Sequence, residues 1–174
     1  MAPPVEVVLS RFGVMFFDDP HAAFSNLAEA TIGGGRFSFS CWDDVAHNEW
    51  ILAPAAAISP LVELPPPSPP GMPGPFAFAD VEAVAALLEE AGWTDLTIES
   101  IDDPLYLGGP GTVARTVDFA VRSMRGITDA MEGFDSERRE EVRRRLTGEF
   151  SRHHDGIGVR YRARAHLIRA IRDS

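Results

Sequence analysis

One run of metal-ligand residue types occurs late in the sequence, His153-His154-Asp155. Imidazole and carboxylate groups are common ligands of structural and catalytic metals. Adjacent residues of a helix or strand point in different directions, however, and no further ligands can be named from the sequence. We therefore do not expect a structural metal site here, and the prediction includes no metal.

Two glycine runs, at residues 33–35 and 108–112, suggest loops that hold phosphate through backbone amides. A phosphate-binding loop follows a strand and begins a helix. The first run has the reverse order, so we interpret it as a turn. The second has the correct order, and its amides could hold an anion, but it lacks the lysine and the spacing of a P-loop. An ordinary loop is favoured.

Composition excludes several classes of protein. Cys41 is the single cysteine, so neither an internal disulfide nor a thiolate-rich zinc site can form. The formal charge of −10 argues against a nucleic-acid partner, although residues 111–174 hold 14 arginines against 10 carboxylates. The arginines of Arg138–Arg145 are interleaved with Glu137, Glu140 and Glu141, as on a solvated, ion-paired helix face.

Membrane insertion and export are not expected. No stretch approaches the roughly 18 uninterrupted apolar residues of a membrane helix. The N-terminal residues also lack the basic and apolar regions of a signal peptide. A cytoplasmic location is the default expectation.

The first 42 residues predict strand, helix and strand. Val5–Leu9 is short and β-branched, as in a buried strand. Asp19 as N-cap and Pro20 at the first helical position predict a helix, which the glycines at 33–35 would end. Arg36–Trp42 alternates strictly and predicts a second strand. This order is typical of a right-handed parallel crossover in an α/β fold.

The remainder of the chain predicts a mixture of helices and strands. Residues 65–75 are proline-rich and predict a loop. Asp80 caps a predicted helix at Val81–Ala91, and Gly92 ends it. The remaining predicted elements are a strand at 96–107 interrupted at Pro104, helices at 112–131 and 136–152, and a final strand. In that final strand Val159, Tyr161, Ala163, Ala165 and Leu167 alternate with arginines and His166, which predicts a half-buried, antiparallel strand.

Three runs carry a resemblance to a known family. Ser10-Arg-Phe-Gly-Val-Met-Phe-Phe-Asp-Asp-Pro20, then Ala22-Ala-Phe-Ser-Asn-Leu27 and Gly33-Gly-Gly-Arg-Phe37, resemble the centre of a class I S-adenosylmethionine-dependent methyltransferase of the methyltransferase-11/25 type. In that family the first run follows the fourth strand, the helix is the crossover, and the glycine run leads into the fifth strand. Residues 48–50, 74–80 and 91–95 are similar to the segments that follow. The resemblance covers most of residues 5–107.

The resemblance implies a partial Rossmann-like methyltransferase sheet, equivalent to strands 4 to 7 of the family with the last strand antiparallel. Flanking helices and an inserted helical pair would complete it. Residues 1–174 would form a single partial methyltransferase domain. Residues 65–75 would be a proline-rich loop near the substrate entrance, and 112–152 a helical insertion or lid.

The sequence departs from the family in the part that binds the cofactor. Family members hold S-adenosylmethionine with a glycine-rich turn after their first strand and an acidic residue that closes their second strand. Residues 1–9 contain neither feature, because the chain begins at the equivalent of the fourth strand. The prediction is therefore a C-terminal half that lacks the main cofactor motif.

By resemblance, the residues after the first strand face the cofactor and substrate, since ligands of open α/β sheets bind beyond the carboxyl ends of strands. Ser10, Arg11 and Phe12 are the cofactor-binding candidates, with the Ser10 hydroxyl or carbonyl contacting the cofactor's ammonium group. Met15, Phe16 and Trp42 are the substrate-binding candidates. His47, with Asp43 and Asp44 near it in sequence, is the catalytic-base candidate. Core packing for the apolar residues, a pairing role for Arg11 and an exposed loop for His47 are the alternatives.

The function implied by the family is methyl transfer from S-adenosyl-L-methionine to a small-molecule acceptor, compromised or partner-dependent in this chain. The alternative is a non-catalytic remnant or an accessory, dimerisation subunit. Residues 5–9 would form an edge strand although their composition is that of a central strand, and an uncovered apolar edge favours association. We therefore expect a homo-oligomer or a partner chain that covers this strand.

Overall fold

The computed structural model describes residues 3–64 and 71–173. Part of the predicted loop at 65–75 thus lies outside the described residues, and residues 71–75 form turns and bends. The chain divides into two compact units. Unit 1 comprises Met1–Asp44, Pro67–Asp102 and Arg164–Ser174, and unit 2 comprises Val45–Pro66 and Asp103–Ala163.

The helices and strands follow one another in a mixed α/β order. In chain order they are β1 (Val5–Arg11), α1 (Pro20–Glu29), β2 (Thr31–Trp42), α2 (Glu49–Ile58), α3 (Val81–Glu90), β3 (Trp93–Asp102), β4 (Leu105–Tyr106), α4 (Val113–Ser123), α5 (Arg125–Ala130), α6 (Ser136–Arg152), β5 (Arg160–Tyr161) and β6 (Arg164–Arg172). Short 3₁₀ turns occur at Val14–Phe16 and Val45–His47.

Unit 1 is built on a four-stranded sheet in the order β1-β2-β6-β3. β1 and β2 are parallel, as the predicted crossover requires. β6 is antiparallel to both β2 and β3, which confirms the predicted antiparallel final strand. Two helices, α1 and α3, pack against one face of this sheet through Phe24, Ala28, Val84 and Leu88.

The helix caps formed as the sequence indicated. Asp19 accepts a hydrogen bond from Ala22 N at 2.9 Å and begins α1. Asp80 accepts hydrogen bonds from Glu82 N and Ala83 N, both at 3.1 Å, and begins α3. Gly92 follows α3 with a φ of 88°, a left-handed conformation that glycine adopts without strain.

The glycines at 33–35 do not end α1, and this prediction was wrong. The helix ends at Glu29, and the glycines lie inside β2. The pairing of β1 with β2 shifts there from Val5 opposite Thr31 to Val7 opposite Arg36. Glycine is needed because a Cβ at Gly35 would lie 2.4 Å from Thr31 Cγ2. The run therefore absorbs an irregularity in the strand.

β1 is an exposed edge strand, whereas its composition predicted a buried one. It pairs with β2 on one side, and Val5, Val7 and Leu9 are 43%, 52% and 75% exposed. Only Val8 of these strand residues packs against the core of unit 1. The face of the sheet that carries Val7 and Leu9 is opposite the face that α1 and α3 cover.

The alternation in the final strand changes phase, which the sequence analysis did not foresee. Val159, Tyr161 and Ala163 are buried as predicted. The strand then breaks between β5 and β6, and His166 becomes buried, with Ile168 and Ala170, while Ala165 and Leu167 are half-buried. The prediction that His166 points outward was wrong. The strand is interrupted at Arg162 and Ala163, and the alternation of buried and exposed residues resumes shifted by one position.

Unit 2 is mainly helical, with the small β4–β5 sheet at one side. The helix predicted at 112–131 is divided at Met124 into α4 and α5, and α6 occupies the predicted 136–152. α2 was not predicted. The core of the unit includes Ile58, Val117, Ala120, Val142, Leu146, Phe150 and Tyr161. None of the helices in the described part of the chain has the length and apolar character needed to cross a bilayer.

Candidate site at the carboxyl ends of the parallel strands

The carboxyl ends of β1 and β2 lie at the same edge of the unit 1 sheet, because the two strands are parallel neighbours. Ser10 pairs with Phe39 and Arg11 with Ser40 in the strand register. β2 continues two residues further and ends at Trp42. The structure therefore places Ser10, Arg11, Phe12 and Trp42, four of the predicted site residues, at the same end of the sheet, where β1 and β2 finish.

Phe12 and Trp42 form a stacked pair at this edge. Their ring centroids are 4.1 Å apart and the planes are inclined by 18°. Phe12 has a φ of 54°, which is uncommon for a phenylalanine, and its amide donates to Ser40 O at 3.1 Å. Both side chains are half-buried. The pair thus presents an aromatic surface fixed by the backbone of the strand beside it.

The residues that follow Phe12 differ in exposure. Ser10 is half-buried and Arg11 is exposed. Met15 is 1% exposed and belongs to the core of unit 1, whereas Phe16 in the same 3₁₀ turn is 54% exposed. A substrate-binding role is thus open to Phe16 and Trp42 as they stand, while Met15 would need the turn to rearrange. These roles stay predictions.

His47, the predicted base, lies in the 3₁₀ turn Val45–His47 of unit 2 and is exposed. Asp43, which precedes it in sequence, belongs to unit 1 and is 8% exposed. The Asp43 carboxylate accepts a hydrogen bond from Asp44 N at 2.6 Å. The catalytic role of His47 stays a prediction.

Sequence reasoning missed a polar group in unit 1 formed by Ser100, His166 and Asp43. Ser100 Oγ lies 3.0 Å from His166 Nδ1. His166 Nε2 lies 3.3 Å from Asp43 Oδ1, a close contact without the geometry of a hydrogen bond. His166 is 5% exposed. Ser100 and His166 are directly paired across β3 and β6, although 66 residues separate them in sequence.

Serine hydrolases activate a nucleophilic serine with the same series of groups, a hydroxyl, an imidazole and a carboxylate. Such a serine needs a water-excluding site with donors for a developing oxyanion. Ser100 lies instead on β3, an edge strand on which no residue after Trp93 is buried. We therefore interpret the group as a cross-strand contact that satisfies a buried histidine.

Asp43 also lies close to an arginine that links two carboxylates. Arg164 Nε is 2.7 Å from Asp102 Oδ1 and 3.7 Å from Asp43 Oδ2. The hydrogen bond that Arg164 Nε donates to Asp102 raises the pKa of the Arg164 guanidinium, which therefore stays charged. The end of the sheet next to Trp42 thus carries a network of charged groups at Asp43, Asp102 and Arg164.

The metal-ligand types at 153–155 have other roles in unit 2. His154 Nε2 lies 3.0 Å from Gly111 O, and its Nδ1 accepts from Gly156 N at 3.1 Å. Asp155 accepts from Ile157 N and Gly158 N. Both polar atoms of His154 are therefore engaged by the backbone.

Comparison with known proteins identifies the fold. No protein-family profile matches the sequence, and no curated protein matches it. A structure named as a putative methyltransferase from Bacillus halodurans C-125 matches 98% of this chain and 65% of its own chain, with a TM-score of 0.50 and 12% identity. The chain has a methyltransferase-like fold. This confirms the predicted α/β fold class, and the chain spans 65% of that relative's length.

Two other solved structures match less closely. The YcgJ protein of Bacillus subtilis matches 99% of this chain and 67% of its own, with a TM-score of 0.48 and 12% identity. Phosphoethanolamine N-methyltransferase 2 of Haemonchus contortus, in complex with phosphomonomethylethanolamine and S-adenosylhomocysteine, matches 97% and 33%, with a TM-score of 0.43 and 11% identity.

The family resemblance of the sequence implies S-adenosylmethionine as the cofactor, which family members hold with a glycine-rich turn. The connection after β1 contains one glycine, Gly13, where a Cβ would lie 3.2 Å from Ser10 Oγ. The glycine run at 33–35 lies near the start of β2, at the other end of the strand from Trp42. The described part of the chain thus offers no glycine-rich turn beyond the carboxyl end of a parallel strand.

Proposed function

We propose that this chain contributes to S-adenosylmethionine-dependent methyl transfer to a small-molecule acceptor as one part of a larger assembly, and that it does not hold the cofactor alone. The observation that supports this is the methyltransferase-like fold with Ser10–Phe12 and Trp42 at the carboxyl ends of its parallel strands. Ligands of open α/β sheets bind at this edge.

In this proposal the chain positions the acceptor. Methyl transfer needs alignment of the reacting atoms and exclusion of water more than it needs acid–base groups. The stacked rings of Phe12 and Trp42 supply an apolar surface against which an acceptor packs. Ser10 supplies a hydroxyl at the same edge.

Titration calorimetry of the chain with S-adenosylmethionine tests the first part of the proposal. We expect no binding at micromolar concentrations, because the described residues include no glycine-rich turn beyond the carboxyl end of a parallel strand. Micromolar binding by the chain alone would show that the missing features are replaced by others and would overturn the proposal of a shared site.

A non-catalytic accessory subunit is the alternative, and the exposed edge strand β1 supports it. Both proposals expect no cofactor binding by the chain alone. They differ in the effect of Trp42→Ala on methyl transfer by the assembled complex. The acceptor-positioning role expects a higher KM for the acceptor, whereas an accessory role expects no change.

We further propose that a second copy of this chain covers β1. An antiparallel pair of β1 strands centred on Val7 would place Val5 opposite Leu9 of the other copy on the open face of the sheet. Glu6 would lie opposite Val8 and Arg11 opposite Pro3, so no like charges face each other directly. The pairing would cover the side chains that are now most exposed on this strand.

A further inference from the structure

Unit 2 contains an open cleft of about 460 Å³ beside β5. The end of α6, the turn that follows it and β5 form its walls. Arg152, Arg160 and Arg162 border the cleft, and His153 and His154 also line it. All of these residues belong to unit 2, so the cleft is independent of the edge of the sheet in unit 1.

The carboxylates around the cleft already contact hydrogen-bond donors of neighbouring residues. Glu149, 7% exposed, is contacted by Tyr161 Oη at 3.3 Å, by His153 Nε2 at 3.0 Å and by Arg152. Glu49 accepts from Arg162 N at 3.3 Å and lies 3.6 Å from Arg162 Nε. These acceptors therefore leave little capacity for a ligand's donors.

Both carboxylate oxygens of Asp155 also accept hydrogen bonds from neighbouring groups. It accepts from Ile157 N at 2.9 Å and Gly158 N at 3.2 Å, and Tyr106 Oη donates to its second oxygen at 2.9 Å. The backbone hydrogen bond from Ile157 is the main reason that the pKa of Asp155 lies below its usual range. A bound cation would therefore compete with donors that are held in place by the turn.

The guanidinium donors, in contrast, are in surplus. Each arginine has five N–H donors. The Arg160 guanidinium makes no hydrogen bond or ion pair with any residue in the described ranges. Arg162 uses Nε and its backbone amide towards Glu49, and its side chain is 88% exposed. The groups without acceptors are thus cationic, and the chemistry that would satisfy them is an oxyanion.

His153 adds a directional group to the same cleft. Its ring packs against Tyr161 with centroids 4.4 Å apart and planes inclined by 33°, and Nε2 contacts the buried Glu149 carboxylate. The ring orientation is therefore fixed from two sides. Nδ1 makes no hydrogen bond with the described residues, and with Nε2 donating to Glu149 it meets a ligand oxyanion as a donor in the doubly protonated ring.

We propose that this cleft binds a small molecule that carries an oxyanion, either a carboxylate or a phosphate monoester. Arg160 supplies the main cation, Arg162 adds to the positive field, and His153 orients the ligand. The volume suits a metabolite-sized molecule. This site does not depend on methyl transfer, so it stands or fails separately from the function proposed above.

Nuclear magnetic resonance of the full chain, with arginine side-chain and histidine ring signals observed, tests the site. The probes are inorganic phosphate and acetate, and sodium chloride at equal ionic strength is the reference. We expect a saturable shift of the Arg160 and His153 signals with at least one probe. Saturation with phosphate alone identifies a phosphate ligand, with acetate alone a carboxylate ligand, and with both an oxyanion of either kind.

The matched variants are Arg160→Gln and Arg125→Gln. Arg160 is exposed, so its replacement should leave the fold intact, and we expect at least a tenfold loss of affinity. Arg125 lies on α5 next to Asp129 with its side chain 93% exposed, and its replacement should leave affinity unchanged. Shifts that do not saturate, shifts that chloride reproduces, or equal binding by Arg160→Gln would each overturn the proposal.

Discussion

His166 places a polar ring in the buried part of the unit 1 sheet. Ser100 contacts one ring nitrogen and Asp43 the other. We expect His166→Ala to destabilise the protein by about 2 to 4 kcal/mol, because it leaves a cavity and removes a partner of the buried Asp43 carboxylate. Urea unfolding measures the change. Ser100→Ala should cost about 1 kcal/mol or less, since water can replace the exposed hydroxyl.

An equal loss in the two variants would contradict this account. It would mean that the hydroxyl, and not the buried ring, stabilises the contact between β3 and β6. The comparison therefore separates the histidine's packing from its hydrogen bond to Ser100.

Cys41 is fully buried, and burial together with the nearby Asp43 carboxylate raises the pKa of its thiol to about 12. The thiolate is the reactive form, and at pH 8 this pKa leaves very little of it. We expect a disulfide reagent to modify the folded protein slowly and the urea-unfolded protein rapidly, as followed by absorbance. Rapid, stoichiometric reaction of the folded protein would show that the strand β2 opens readily.

Helix α3 depends on a cap that the sequence already indicated. Asp80 accepts two amide hydrogen bonds at the start of the helix. Asp80→Ala should lower the free energy of unfolding by about 1 kcal/mol. Asp80→Asn retains the acceptor oxygen and should cost much less, so a similar loss in both variants would point to the charge instead of the cap.

The glycines of β2 and α6 should respond to alanine in opposite directions. Gly35→Ala places a Cβ 2.4 Å from Thr31 Cγ2 and 2.9 Å from Ile32 O, both within β2, and 3.1 Å from Glu6 O of β1, so the irregular start of β2 must rearrange. We expect a loss of about 1 to 3 kcal/mol. Gly148 lies inside α6 with no atom near the added Cβ, and Gly148→Ala should stabilise the protein by about 0.5 to 1 kcal/mol. Thermal unfolding of both variants measures whether each substitution lowers or raises the stability of the protein.

The elements that were predictable from sequence are those with local signals. α1, α3 and α6 begin at an aspartate cap, and each combines that cap with apolar residues at helical spacing. α2 was missed because Pro54 lies inside it and because no side-chain cap begins it. The exposure of β1 was not visible in its composition, since that depends on which strands lie beside it.

The part of the candidate site that rests on local sequence signals was also predictable. Ser10–Phe12 and Trp42 follow two parallel strands, and the strand order alone indicated that they lie at one edge. The contact of His166 with Ser100 and Asp43 could not be foreseen, because it depends on the phase change between β5 and β6. The cleft beside β5 likewise joins α6 to a strand that follows it, and only the fold shows which arginines lack acceptors.

At the scale of the whole molecule, the open edge of the sheet determines the expected state of association. β1 exposes Val7 and Leu9 on the face of the sheet that α1 and α3 leave open, and it has a strand neighbour on one side. We expect sedimentation velocity to detect a dimer at tens of micromolar that dissociates on dilution. Leu9→Lys should weaken this dimer at least tenfold, because a charged residue on an edge strand opposes pairing.

Leu52→Lys is the matched control for that experiment. Leu52 is a leucine of α2 in unit 2 with 44% exposure, so the same change of charge is made away from β1. The dimer of the Leu52→Lys variant should dissociate over the same concentration range as the dimer of the unchanged chain. A dimer that survives Leu9→Lys would place the interface elsewhere, and a chain that stays monomeric at every concentration would contradict self-association through β1.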